Sequence, residues 1–167
     1  MLATYAEMKA ILSEKPSVAL RHALDALDAF ENTSNCEIDM SIYHSYNRTT
    51  NTCFACLGGA AALARFRVPR GDWQYLQGFT LVDRYFNNFV AVPEEAELGA
   101  EDLASNYEEA LNMARIGRFE ELFTLAGIPE DRAVRFNNRA VPEYADDPIA
   151  WRAQMEDFVR QFEAAGY

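Results

Sequence analysis

The sequence predicts a mainly α-helical protein, one compact domain over residues 1–167 with one small β element, a strand or hairpin near residues 37–54. Three observations carry that prediction. Apolar residues recur at helical spacing through most of the chain. The period drops to two in a single stretch, Glu37–Tyr43. There is no internal repeat, low-complexity segment or long linker that would separate two domains.

In chain order, TYAEMKAILSE (3–13) predicts a short helix ended by Pro16. Ser17 is the expected cap of a second helix reaching about Asn32, with Leu20, Leu24, Leu27 and Phe30 on its apolar stripe and His22 on its surface side. NTSN (32–35) predicts a turn. Ile38, Met40 and Ile42 then alternate with Glu37, Asp39 and Ser41, the pattern of a half-buried strand. The expected partner is Thr50–Phe54, returning as a hairpin after the loop HSYNRTTN.

A helix is predicted from about Cys53 to Phe66, carrying Gly58, Gly59, Ala60, Ala61, Ala62 and Ala64. Glycine inside a helix costs about 1 kcal/mol against alanine, so the pair implies a backbone or ligand in close approach. Thr80 is the expected cap of the next helix, with Val82, Tyr85, Phe86 and Phe89 facing inward. Residues 91–100 read as a connection. Helices follow at about 101–116, closed by Gly117, and at 119–126, with a further turn or helix through 130–136. Asp147 and Pro148 open the last helix, whose stripe is Trp151, Met155, Phe158, Val159 and Phe162 and whose end is Gly166.

Half of the residues are apolar and 13% aromatic, enough for a substantial core. No apolar run reaches the roughly 18 residues a bilayer span needs, and the first 15 residues do not resemble a secretory signal. Three cysteines, an odd number, oppose a disulfide framework. The expectation is a cytoplasmic protein with reduced thiols. The net charge of −11 is uneven: residues 1–91 carry 8 Lys/Arg against 9 Asp/Glu, and residues 92–167 carry 7 Arg against 17 Asp/Glu. A field of that sign repels nucleic acid and suits a basic partner or a solvated face.

The chemistry-bearing residues gather between Cys36 and Arg65. Cys53–Phe54–Ala55–Cys56 is a C-x-x-C at a predicted helix start, where the dipole can lower a thiol pKa. No βαβ pattern precedes it, so packing of small apolar thiols is the preferred reading. Cys36, His44, Cys53 and Cys56 could in principle supply a Cys3His zinc set, although the spacing matches no common finger. His44 could serve as base to Cys53 or Cys56, yet no orienting third residue is identifiable. No catalytic, metal or cofactor assignment is therefore made. RFRVPR (65–70) and the trio Arg132, Arg135 and Arg139 form small basic patches, expected to pair with nearby acids.

Tyr43–His44 followed by Cys53–Phe54–Ala55–Cys56–Leu57–Gly58–Gly59–Ala60 resembles an uncharacterised family of small proteins encoded by bacteriophages and prophages. Members show an aromatic–His strand, then a Cys-x-x-Cys-Leu-small-Gly-Ala helix start, and residues 110–122 resemble their downstream segment. Tyr43 stands where Trp is expected and Gly58 where Ala is usual. The family has no known activity. The resemblance implies a non-enzymatic accessory or anti-defence protein that binds and inhibits or redirects a bacterial host protein, a defence component being one such partner. The alternatives are a nucleotide-type binder or sponge with a pocket around the Gly/Ala helix, His44, Asn47 and Arg48, and a small zinc- or thiol-dependent enzyme; the candidate binding residues are Tyr43, His44, Asn47, Arg48, Cys53 and Cys56.

Overall fold

Local signals set most helix ends. Thr4 caps α1 (Tyr5–Leu12) through a reciprocal bond with Glu7. Pro16, expected to end this helix, instead opens α2 (Pro16–Glu31), where its missing N–H costs nothing. Ser17 therefore lies inside α2, and its hydroxyl donates to the Tyr167 carbonyl at 2.5 Å rather than capping. The computed structural model describes residues 1–76, 79–136 and 140–167, the side chains of residues 79–82 excepted.

The predicted strand is shorter than its alternation. β1 spans only Cys36–Ile38, because the Asp39 carboxylate accepts the Ser41 N–H at 2.9 Å and the Ile42 N–H returns to the Asp39 carbonyl. That local turn competes with extended pairing. The expected loop instead holds a strand, β2 (His44–Asn47), which forms the hairpin with β3 (Thr52–Ala55). β1 pairs with β3 in parallel, so the sheet order is β1-β3-β2. The expected partner segment is thus correct, but its pairing with the predicted strand is parallel, and the hairpin is made instead by β2.

The following helix, α3 (Leu57–Arg65), starts four residues later than predicted, since Cys53–Ala55 belongs to β3 and Cys56 is the cap. Chain geometry then continues through a 3-10 segment (Arg70–Tyr75), α4 (Phe79–Phe89), α5 (Ala100–Ala114), α6 (Glu120–Leu125), α7 (Glu130–Ala133) and a 3-10 turn (Val134–Phe136). The last helix is α8 (Pro148–Ala165), with Asp147 accepting the Ala150 N–H at 2.9 Å and Gly166 in the left-handed region at φ 86°. Gly117, at φ 83°, ends the α5 segment as expected.

α3 packs against both α2 and α5, α8 lies on α2, and α4 and α6 pack on α5. Phe66, Phe86 and Tyr107 join α3, α4 and α5, with Phe66 5.2 Å from Tyr107. A second aromatic group, Phe119, Phe123, Phe136, Phe158 and Phe162, ties α6 to α8 by edge-to-face contacts. Phe89 departs from expectation: it lies on the outer surface of α4, 66% exposed, against Tyr85. α4 begins at Phe79, one residue before the predicted cap Thr80; the Thr80 and Val82 side chains, and all of Arg139, lie outside the described residues. No helix among the described residues is long and apolar enough to cross a membrane.

Candidate functional site

The backbone changes from strand to helix between Ala55 and Leu57, and this junction arranges the chemistry. Cys56 is extended (φ −85°, ψ −175°), its N–H donates to the Ile42 carbonyl at 2.8 Å, and its sulfur accepts the Gly59 N–H at 3.5 Å. The two glycines explain themselves here. A Cβ on Gly59 would stand 1.4 Å from the Tyr43 carbonyl oxygen, and one on Gly58 2.4 Å from the Glu108 carbonyl oxygen. The start of α3 is thus threaded between the β2 entry and the backbone of α5, which is the close approach that the sequence implies.

That threading brings a polar pair into the interior. His44 Nε2 lies 3.4 Å from Glu108 Oε1, with side chains 3% and 0% exposed. Neither is aligned for a hydrogen bond among the described residues. A polar pair this deep is stabilised only by its mutual contact, and losing one partner strands the other. Cys56 is close by: burial pushes its thiol up to about 11, opposed by the Gly59 and Gly58 N–H groups and reinforced by the Glu108 carboxylate. The thiol is therefore protonated at neutral pH. Thiol, imidazole and carboxylate share this neighbourhood, but they line none of the cavities described below, and the arrangement serves as a packed junction.

The other two cysteines face a different environment. Cys36 on β1 and Cys53 on β3 are register partners in the parallel pair. Both thiols are free. They line a cavity of about 250 Å³ together with Tyr46, Arg70, Trp73 and Gln74. The Arg70 guanidinium donates to the Ser34 carbonyl at 2.6 Å, and Trp73 stacks on Phe30 at 5.6 Å. Burial raises both thiols, Cys53 to about 11, while the Arg70 charge pulls the other way.

The six sequence-predicted site residues thus separate. Tyr43, His44 and Cys56 meet at the α3 entry, where burial raises the Tyr43 phenol and the Cys56 thiol donates to the Tyr43 carbonyl at 3.9 Å. Cys53 belongs with Cys36. Asn47 and Arg48 lie at the exposed tip of the β2–β3 hairpin, where Asn47 Oδ1 accepts the Thr49 N–H at 2.9 Å. Among the described residues, no group of three or more His, Cys, Asp or Glu side chains is placed to hold a metal ion. The basic run 65–70 is divided as well: Arg65 pairs with Glu14 and Arg67 with Glu7, while Arg70 serves the thiol cavity.

Glu108 and Trp73 were not singled out in the sequence, and Arg70 entered only as part of the basic run 65–70. For Glu108 a signal exists: it occupies the apolar stripe of α5 with Ala104, Tyr107 and Leu111, four residues after Ala104 and three before Leu111. A carboxylate on such a stripe calls for a buried partner.

A third feature is acidic. Glu109, Glu120, Glu121 and Glu130 converge with Asn106 and Thr124 on a cleft of about 440 Å³ formed by α5, α6 and α7. Among the described residues no Lys or Arg lies within salt-bridge distance of these four carboxylates. Comparisons with protein-family models, with curated proteins and with solved structures find no match for this chain.

Proposed function

We propose that the chain is a non-enzymatic binding protein, of the phage-encoded accessory kind its Cys-x-x-Cys-Leu-Gly-Gly-Ala segment resembles, which docks a basic bacterial host protein and inhibits or redirects it. The observation carrying this reading is the acidic cleft of α5, α6 and α7, where four glutamates converge without a cationic partner among the described residues. It lies in the half of the chain with 17 acidic residues against 7 arginines. A single-sign cleft of this kind speeds encounter with an opposite charge and rejects like charge. The state of the thiols supports the same reading. Cys56, the residue best placed beside an imidazole and a carboxylate, is held protonated by burial.

The test is affinity capture from bacterial lysate, with the retained protein identified by mass spectrometry and its affinity remeasured after purification. The comparison variant carries Glu109→Gln, Glu120→Gln, Glu121→Gln and Glu130→Gln. One stoichiometric partner with a basic face, binding more weakly at higher salt and to the variant, supports the proposal. Capture of nothing above background, or equal binding by both forms, refutes it.

A further inference from the structure

The register pair Cys36–Cys53 has a chemistry that the binding role does not use. Neighbouring strands lie about 4.8 Å apart, inside the Cα separation of about 4.4–6.8 Å that a disulfide bridges. Register partners also project to the same face of a sheet, so the two thiols stand on one side of the β1–β3 pair. Strand pairing thus holds the two cysteines side by side. The pair opens on a cavity of about 250 Å³, so a small reagent has access to it. At the rim sits Arg70, exposed and without a carboxylate partner among the described residues, with Trp73 and Tyr46 supplying apolar walls.

We propose that Cys36 and Cys53 form a dithiol site that closes into a cross-strand disulfide by exchange with a low-molecular-weight, carboxylate-bearing disulfide seated against Arg70. The chemistry balances without another reactant. Cys53, the less buried residue of the two, loses its proton and attacks one sulfur of the reagent, which releases the other half as a thiolate and leaves a mixed disulfide on Cys53. Cys36, deprotonated in turn, attacks the Cys53 sulfur and expels the second thiolate. The protein gives up two electrons and two protons, and the reagent becomes two thiols. Cys56, capped by the Gly59 N–H on the far side of the strand–helix junction, takes no part. Because burial holds both reacting thiols protonated at neutral pH, exchange is slow there and quickens about tenfold per pH unit below the Cys53 titration near 11.

The experiment uses the reduced full chain without oxygen, exposed separately to glutathione disulfide and to neutral 2-hydroxyethyl disulfide, quenched with acid and mapped by mass spectrometry. The expected product has lost two hydrogens and joins the Cys36 and Cys53 peptides, with Cys56 free. The rate advantage of glutathione disulfide over the neutral reagent should fall about two- to five-fold in Arg70→Gln. Cys36→Ser should stop at one glutathionyl group on Cys53. Three free thiols after prolonged exposure at pH 9, or a bond that engages Cys56, overturns the proposal. An Arg70→Gln rate ratio equal to that of the wild type overturns the seat on Arg70. The wild-type map needs no variant, so a poorly folding substitution leaves the test intact.

Discussion

Replacing either member of the buried His44–Glu108 pair by leucine should cost far more than replacing both. His44 Nε2 and Glu108 Oε1 stand 3.4 Å apart, and neither side chain has a hydrogen bond to another described group. Withdrawing two polar groups from water offsets most of what their contact returns, so the intact pair is close to neutral in net stability. Removing one partner changes that balance. Glu108→Leu leaves the imidazole 3% exposed with nothing to answer it, and His44→Leu leaves a carboxylate with no exposure at all. Each single variant is expected to lose about 3–5 kcal/mol. The double variant fills both positions with apolar side chains and should lose less than about 1 kcal/mol, or gain stability. Urea unfolding followed by the fluorescence of Trp73 and Trp151 reads this out. With a slope of about 2 kcal/mol/M, each single variant shifts the midpoint by about 1.5–2.5 M, and the double variant by less than about 0.5 M. Single costs under about 1 kcal/mol, or costs that add in the double variant, would refute the coupling.

Two further outcomes follow from the same junction. Gly59→Ala should destabilise the fold by more than about 3 kcal/mol, since its methyl group collides with the Tyr43 carbonyl oxygen and a helix-propensity gain of about 1 kcal/mol cannot offset that. Gly71→Ala, where a Cβ meets nothing within 4 Å, should change the midpoint little in the same assay. Alkaline pH gives the other. The folded chain holds the Cys56 proton to about 11 and the unfolded chain releases it near its ordinary 9.0, so stability from the neutral buried thiol is full below pH 9. It is lost as pH rises from 9 to 11, by about 2–3 kcal/mol in all. Urea midpoints at pH 8, 9, 10 and 11 should fall more steeply for the wild type than for Cys56→Ala, and parallel slopes would contradict the assignment.

Much of the helical framework is legible in the sequence because its punctuation is local. Asp147, Pro148, Gly117 and Gly166 act through their own backbone geometry, and the structure uses all four at the predicted ends. The sheet is less legible. The alternation from Glu37 to Tyr43 looks like one extended stretch, but a turn in which the Asp39 carboxylate accepts the Ser41 N–H ends β1 at Ile38. β2, His44–Asn47, carries no apolar alternation, and its extended form depends on pairing with β3. Phe89 fits the helical stripe of α4 and still faces outward, against Tyr85 on the helix surface.

The C-x-x-C motif shows why spacing alone does not place chemistry. At the start of a continuous helix, residues three apart lie on one face, and two such thiols would be neighbours. Here the conformation changes between them. Cys53 lies on a pleated strand, where its neighbour is fixed by register and is Cys36, seventeen positions earlier. Cys56 lies at the cap, where the orphan N–H of Gly59 claims its sulfur. The thiols of one short motif are thereby given to two environments, one interior and closed by His44 and Glu108, the other beside Arg70 and open to a cavity. Which of them can react is decided by the residue at which strand becomes helix, and the glycines that let α3 pass between Tyr43 and α5 fix that residue.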